Sequence, residues 1–254
     1  MNMKEFLKIL SDEFPDDRVT SQKKVPTFHP ETAAEAARLF TLANEYKWKL
    51  FIAGFGNNIV PVGEKFKNIL VVKSDRLNKL IEIVPQDYFF SVGAGYPLRE
   101  INKQLKQYDL FLPHSDLPYV GSVGGALASG LSAKQDLHLL PLGRYFIKAE
   151  IVTPEGKIIR PGSACFKSVS GFDIVKIYSP SWGLLGKIIT ATFRALPLSI
   201  RNEFENIVMQ PIDYKKFADT YLNPGDNQSA IYSIKIKDKF DPNGVLPLID
   251  TDQE

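Results

Sequence analysis

The feature that most constrains this chain is the stretch LPYVGSVGGALASG, residues 117–130. It holds four glycines and two serines in fourteen residues, yet Val120, Val123 and Leu127 are interleaved with them. A flexible linker has no need of such apolar side chains. Because glycine has no Cβ, the pattern predicts a place where the backbone closely approaches a large, flat ligand that carries phosphate.

Three further glycine segments lie where predicted strands begin or end. AGFGNN (residues 53–58) and VGAGYP (92–97) follow apolar runs, and SWGLLG (181–186) opens a run that stops at Pro197. Such loops can point successive N–H groups at an anion, although a tight turn also explains each glycine taken singly. No segment matches a strand–GxGxxG–helix fingerprint or GxxxxGK[ST]. The sequence therefore predicts a nucleotide-like ligand, and the site that binds it is neither a Rossmann nor a P-loop site.

Composition limits the partners and the compartment. The 31 basic and 29 acidic residues give a formal net charge of +2, which provides no electrostatic reason to bind nucleic acid. The single cysteine, Cys165, excludes an internal disulfide and is interpreted as a partly buried apolar residue. No metal-ligand spacing, signal peptide or membrane span is evident in the sequence. We therefore expect a cytoplasmic protein.

Hydrophobic periodicity predicts helices and strands in a mixed order. Residues 1–24 predict an amphipathic helix and a charged leader, and a second helix is predicted from Glu31, with Pro30 at its start. Residues 146–162 predict a β-hairpin around the turn PEGK, and a further strand ends at Pro197. This order lacks the regular βαβ alternation of a doubly wound sheet.

The order of these segments resembles the FAD-binding domain of the vanillyl-alcohol oxidase, or PCMH, type. VPTFHPETAAEAARLFTLANEYKWKLFIAGFGNNI is similar to the opening of that family, and GSVGGALASG to its second pyrophosphate loop. AEIVTPEGKIIRPG, KSVSGFDIVKIY and SWGLLGKIITATFRALP follow in the family's order. KSVSGFDIVKIY is most similar to the FAD-binding subunit of bacterial glycolate oxidases, and KDKFDPNGVLP resembles the segment that ends many of these oxidases.

The resemblance implies an α+β fold with two lobes. A small N-terminal lobe would cover about residues 25–80, and a larger mixed-sheet lobe about residues 81–197. Residues 1–24 would form a leader, and residues 198–254 a truncated remnant of the cap that binds substrate in this family. The FAD would lie extended between the lobes.

The resemblance also assigns cofactor-binding residues. Residues 54–58, the first glycine segment, would wrap the pyrophosphate from one lobe, and residues 121–125, the second glycine segment, would hold it from the other. Further residues would lie along the cofactor or at its adenine or ribose end. The residues so assigned are Gly54, Phe55, Gly56, Asn57, Asn58, Gly121, Ser122, Val123, Gly124, Gly125, Ser129, Gly130, Leu131, Ser132, Ile188 and Ile189.

Two departures from the family pattern bear on the cofactor. Some members attach FAD covalently through a histidine of the first segment, where this chain has Asn57 and Asn58, so we expect noncovalent FAD. The family's Gly-Ser before the last glycine segment is replaced by Pro180 and Ser181, which removes one amide donor.

No catalytic residue has a defined role from the sequence. His114 precedes the second glycine segment, and His138 lies in a region that the resemblance places near the flavin. Arg144 and Lys167 could place positive charge beside a reduced, anionic flavin. His114, His138 and Arg144 are therefore the catalytic candidates, whereas His29 is interpreted as a solvated turn residue.

Three functions stay open at this level. The first is an FAD-dependent oxidoreductase component, the flavin subunit of a 2-hydroxy-acid (glycolate- or lactate-like) dehydrogenase or oxidase. It would accept a hydride at flavin N5 and need another protein subunit. The second is a noncatalytic FAD-binding or assembly protein that has lost its substrate domain. The third is an enzyme like the UDP-N-acetylenolpyruvoylglucosamine reductase of cell-wall synthesis, because GFGNN resembles the glycine–asparagine loop of that enzyme.

Overall fold

The structure is a computed structural model that describes residues 2–22, 25–57, 64–164 and 174–249. Helices and strands are mixed along the chain, which agrees with the predicted α+β class. The helices are α1 (Met3–Glu13), α2 (Ala33–Glu45), α3 (Ile101–Leu105), α4 (Val123–Ala128), α5 (Tyr214–Phe217) and α6 (Gln228–Phe240). The strands are β1 (Val19–Gln22), β2 (Val25–Phe28), β3 (Lys49–Ala53), β4 (Ile69–Lys73), β5 (Leu80–Val84), β6 (Phe89–Gly93), β7 (Leu110–Phe111), β8 (Ser132–Gln135), β9 (His138–Pro141), β10 (Phe146–Val152), β11 (Ile158–Ile159), β12 (Lys187–Arg194), β13 (Leu196–Pro197) and β14 (Val208–Met209). Among the described residues, no helix is long and apolar enough to cross a bilayer.

The N-terminal sheet has the strand order β1-β2-β4-β3. β4 runs parallel to both β2 and β3, and β1 pairs antiparallel with β2. Phe28, Leu50 and Val72 of this sheet form one buried core with Phe40 of α2. Because β3 ends at Ala53, the sheet presents the first glycine segment at the carboxyl end of a parallel strand.

The N-terminal helix α1 joins this same core. Asn2 and Glu5 form a capping box at its start, which satisfies two amide donors. Phe6 and Leu10 are fully buried, and the Phe6 ring stacks on Trp48 with the centroids 4.9 Å apart. The amphipathic helix predicted from the sequence is thus present, and its apolar stripe packs against the first sheet's layer.

α2 begins later than the sequence predicts. Thr32 has an extended backbone, with φ at −135°, and its side chain accepts a hydrogen bond from the amide of Glu35. Thr32 is therefore the N-cap, and Ala33 is the first helical residue. Pro30 lies before the helix and is not its first residue, because the threonine hydroxyl provides the stronger start signal.

The second sheet has the strand order β11-β10-β12-β6-β5, and its pairs are antiparallel. β10 and β11 form the hairpin that the turn signal predicts, with Ile151 opposite Ile159. Phe90, Phe146 and Phe193 are fully buried in a core that this sheet shares with α3 and α4. This packing fixes α4, and with it the second glycine segment, against β6 and β12.

The last described part of the chain returns to the first sheet. The amide of Leu50 in β3 donates to Val245 O at 2.8 Å. The Asp241 carboxylate accepts the amides of Val245 and Leu246, each at 2.8 Å, and lies 2.9 Å from Lys237 Nζ. Both charged side chains are buried. An ion pair at the end of α6 therefore holds residues 241–249, the C-terminal segment, on the edge of β3.

Candidate functional site

A cavity lies where the two sheets and the C-terminal segment meet. It encloses about 940 Å³, a figure that includes its open mouth. Its lining comes from β3 and the residues after it, from both ends of α4, from the turn before β12, and from α5 and the C-terminal segment. Both glycine segments singled out by the sequence contribute residues to the lining of this space.

The first glycine loop, residues 54–57, lines the cavity with all of its residues. Gly56 has φ at +79°, a conformation that strains any residue with a side chain. Within the described residues, the backbone amides of Phe55 and Gly56 donate no hydrogen bond. Because donors at the end of a parallel strand are well placed for an anion, this loop can bind phosphate with its main chain.

The second glycine segment, residues 121–125, contains the start of a helix and is not an open loop. Ser122 is the N-cap of α4, and its Oγ accepts a hydrogen bond from the amide of Gly125 at 3.1 Å. The apolar residues interleaved with the glycines explain the helix, since Val123 and Leu127 are fully buried in the second sheet's core.

Two further amides of this segment, besides that of Gly125, are occupied by the protein itself. Val123 N–H donates to Tyr96 O at 2.9 Å, and Gly124 N–H donates to Ala94 O at 2.7 Å. These bonds join α4 to the loop after β6 and leave neither amide free for a ligand. In the part of the chain that the structure describes, the amides of residues 121 and 122 donate no hydrogen bond.

The glycines allow the two segments to touch. A Cβ placed on Gly54 would lie 2.6 Å from Ser122 Oγ and 3.3 Å from Gly125 Cα. A Cβ on Gly124 would lie 2.9 Å from the Cβ of Ala94. Since these spacings are below normal contact distance, glycine at position 54 lets the two segments touch, and glycine at position 124 lets α4 pack on the loop after β6, independently of any ligand.

The structure brings half of the predicted cofactor residues to the cavity. Those that line it are Gly54, Phe55, Gly56, Asn57, Gly121, Ser122, Gly125 and Ser129. The others are placed elsewhere: Val123 and Leu131 in the core, Gly124 against Ala94, Gly130 against Pro180, Ser132 at the start of β8, and Ile188 and Ile189 buried in β12. Asn58 lies outside the described residues. The cofactor contacts of this whole set stay a prediction.

Aromatic residues complete the wall: Trp182 lies in the glycine segment SWGLLG, whereas the sequence does not point to Tyr214 or Phe217. The Trp182 ring lies 5.7 Å from the ring of Tyr214 and 5.4 Å from that of Phe217, measured between centroids. Leu246 and Pro247 of the C-terminal segment lie on the same wall. No local spacing links these residues, because they come from segments that are distant from one another in the chain.

The described lining contains no histidine, aspartate, glutamate, lysine or arginine. Its ionisable side chains are the tyrosines, Tyr119 and Tyr214. Burial raises the pKa of the Tyr119 hydroxyl well above its ordinary value, so this group stays neutral and can act as a hydrogen-bond donor. The described lining therefore presents neutral donors and apolar surface, and it holds no obvious general base.

None of the three catalytic candidates lines the cavity. His114 is fully buried, its Nε2–H donates to Leu140 O at 2.7 Å, and burial lowers its pKa to about 4. His138 begins β9 and Arg144 lies in the turn before β10, both exposed to solvent. Lys167 lies outside the described residues. His114 is thus a neutral core residue, because the segment before α4 packs inward.

The interpretation of His29 as a solvated residue is wrong. Its side chain is buried, with Nδ1 2.8 Å from the carboxylate of Asp75 and Nε2 2.8 Å from Thr20 Oγ1. The histidine links β2, β1 and the segment after β4, a contact that depends on sheet pairing and has no local sequence signal. Cys165 falls outside the described residues.

Comparison with known proteins identifies the family. Residues 26–162 match the model of the FAD binding domain family. The chain is 24% identical over 168 residues to a D-lactate dehydrogenase of Archaeoglobus fulgidus, covering 66% of this chain and 38% of that protein. It is also 24% identical over 169 residues to the glycolate oxidase subunit GlcD of Bacillus subtilis, covering 66% of this chain and 36% of that one. The chain thus spans well under half the length of these relatives.

Solved structures agree on the fold. An alkyldihydroxyacetonephosphate synthase superposes with a TM-score of 0.63 at 21% identity, covering 78% of this chain and 42% of that protein. At this identity the likeness concerns the fold alone. It supports the predicted PCMH-type arrangement of two sheets around a shared cleft.

The cavity suits the cofactor of that family. Within the described residues, amides on both glycine segments donate no hydrogen bond and can therefore bind a diphosphate, and the apolar and aromatic walls can bury flat ring systems. No carboxylate of the described lining faces these amides, so nothing there repels the diphosphate. The matched region covers more than half of the chain. The chain therefore belongs to the FAD binding domain family, and FAD is its cofactor.

Proposed function

We propose that this chain is the flavin-binding component of an oxidoreductase that acts on 2-hydroxy acids such as D-lactate or glycolate. The observation that carries the proposal is the meeting of the two glycine segments at one cavity whose described lining has no acid–base side chain except tyrosine. The cavity provides for the cofactor, whereas the groups that handle the substrate must come from elsewhere. The names of the two relatives support the substrate class.

In this proposal the first glycine loop holds the diphosphate through the amides of Phe55 and Gly56. Ser122 positions the start of α4 beside it, and Trp182 with Phe217 shields a ring of the cofactor from water. When bound, FAD supplies an acceptor for the hydride of the substrate. The protein's own task is to hold and orient the cofactor, because orientation contributes much of the rate in such reactions.

The proposal includes a second protein subunit. A 2-hydroxy acid needs a cationic group to bind its carboxylate and a base to take the hydroxyl proton. The described lining offers neither. We therefore infer that a partner completes the substrate site and takes part in passing electrons on.

Anaerobic reduction of the flavin tests the proposal. The purified protein would be loaded with FAD and mixed with D-lactate, glycolate or the corresponding L-acids, alone and with fractionated extract of the source organism. We expect the flavin absorption to persist in the protein alone and to bleach with one acid when the partner fraction is present. Extract with free FAD in place of the protein is the control. Bleaching by a homogeneous monomer would contradict the partner requirement.

A second function, noncatalytic FAD binding, is favoured by the same lack of a base in the lining. It makes a different prediction in the same experiment. The bound flavin would be reducible by dithionite but by none of the acids, with or without the extract fractions. That result would replace the oxidoreductase proposal with this one.

A further inference from the structure

A lysine is buried at the junction of the two sheets. Lys187, the first residue of β12, is 0% exposed. Its Nζ donates to Ser74 Oγ at 2.9 Å and approaches Val72 O at 3.5 Å, both at the end of β4 in the first sheet. Among the described residues, no carboxylate lies within ion-pair distance of this Nζ. A buried cation without a bound carboxylate is costly and calls for an explanation.

Hydrogen bonds lead from this lysine to the first glycine loop. Ser74 Oγ, which accepts from Lys187, donates to Ala53 O at 3.3 Å. The amide of Ser74 in turn approaches Gly54 O at 3.5 Å. Ala53 and Gly54 are the residues at which β3 passes into the loop, and both line the cavity. One serine therefore links the buried ammonium group to the part of the backbone that carries the free amides.

We propose that Lys187 is a positioning residue for the cofactor's diphosphate. Acting through Ser74, its ammonium group would fix the start of the first glycine loop and add positive potential to a site that otherwise has only neutral donors. This positive potential would stabilise the bound diphosphate of FAD. The proposal rests on the FAD site described above and goes beyond the amides that the loop itself supplies.

The surroundings of Lys187 make its charge sensitive to pH. Burial lowers its pKa to about 7, and the nearby Asp75 opposes that shift. Asp75 is itself bound by His29 of the adjoining segment, and Lys73 precedes it at the end of β4. On the neighbouring strand β10, Glu150 is paired with Arg160 at 2.6 Å. An anion bound at the loop favours the charged lysine, so binding should take up a proton near neutral pH.

Calorimetric titration of FAD tests this inference. For the wild type we expect an affinity that falls about tenfold, equivalent to one pKa unit, between pH 6 and pH 8.5. Titrations at pH 7.5 in two buffers of different ionisation enthalpy should show proton uptake on binding. The variant Lys187→Met should bind more weakly at pH 6, lose the pH dependence and take up no proton. Lys148→Met, at an exposed position of β10, is the matched control and should behave as the wild type.

A second variant separates positioning from charge alone. Ser74→Ala keeps the lysine but removes the hydroxyl that joins it to the loop, so FAD affinity should fall while proton uptake remains. Wild-type binding with no proton uptake and no pH dependence would overturn the proposal, even if Lys187→Met failed to fold. Absence of any FAD binding by the wild type would instead contradict the cofactor site, which distinguishes the two failures.

Discussion

The two glycine segments look alike in sequence but differ in what they do with their backbone. The first glycine loop follows a parallel strand and keeps the amides of Phe55 and Gly56 free, within the described residues. The second segment is the start of α4, and it uses the amides of Val123 and Gly124 to bind the loop after β6. Glycine therefore serves two needs, close packing at Gly54 and Gly124 and amide donors for a ligand, and the described second segment offers such donors only at residues 121 and 122.

The supports behind the two segments differ as well. Behind the first loop, β3 is paired with Val245, which the buried Lys237–Asp241 ion pair holds in place. Before the second segment lies His114, a neutral histidine buried against Tyr145. One support depends on a charge pair and the other on an uncharged imidazole, so different changes should break them.

The largest expected effect is on the support of the first loop. Asp241→Asn leaves Lys237 buried without its carboxylate, which we expect to lower the free energy of unfolding by about 3–5 kcal/mol. Urea denaturation measures the change. The double variant Lys237→Met, Asp241→Asn removes the stranded charge and should recover part of the loss. If Asp241→Asn were as stable as the wild type, the ion pair would not hold the C-terminal segment.

Acid should weaken the support of the second segment. His114 has a pKa of about 4 in the folded protein and about 6.5 when unfolded, so the unfolded state binds more protons between these values. Its contribution is present above pH 6.5 and is lost as the pH falls through 4, by about 3 kcal/mol at most. Denaturation curves at several pH values measure this loss.

The variant His114→Gln should flatten that part of the stability profile. Glutamine is neutral throughout the range and keeps an N–H donor for Leu140 O. A stability profile with the same slope in the variant and the wild type would show that another group causes the acid dependence.

A smaller loss is expected from the packing of the second segment. Gly124→Ala forces a methyl group to within 2.9 Å of Ala94 Cβ and 3.0 Å of Ala94 O, so we expect about 1–3 kcal/mol of destabilisation. The thermal midpoint should fall accordingly. Once folded, the variant should bind FAD with little change, because the Gly124 amide is not a free donor. A large loss of affinity with unchanged stability would reverse the roles assigned to this glycine.

The smallest effect concerns the N-cap of α4. Ser122→Ala removes the acceptor for the Gly125 amide and should cost about 1 kcal/mol, as is typical of N-caps. Ser122→Gly is the matched comparison and should lose only a few tenths of a kcal/mol relative to the wild type. Equal stability of all three proteins would mean that the cap contributes nothing measurable.

Local signals in the sequence predicted much of the fold. The hairpin of β10 and β11 followed from its turn residues, and β12 from its run of β-branched residues ahead of Pro197. The resemblance predicts a loop at residues 121–125, where the structure has the start of α4. Its helical form depends on the Ser122 cap and on burial against the second sheet, which only the assembled core provides.

The site was harder to predict than the fold because most of the residues in its wall come from segments that are distant in the sequence. The loop after β3 could be identified from its glycines. Trp182 and Phe217 meet although they are far apart in the chain, and His114, a candidate because it precedes the second glycine segment, packs inward. The local sequence around Lys187 does not predict that its side chain is buried, because the burial depends on contact with the end of β4.

The most direct test of the account is an FAD titration of three proteins: the wild type, Gly56→Ala and Gly225→Ala. Gly56 and Gly225 both have positive φ, +79° and +50°, but Gly225 lies outside the cavity with open space around it. We predict that the wild type binds one FAD, that Gly56→Ala raises the Kd at least about tenfold, or about 1.4 kcal/mol, and that Gly225→Ala leaves it unchanged. Equal Kd values for all three, or no binding by the wild type at about 100 µM FAD, would contradict the claim that the first glycine loop holds the cofactor.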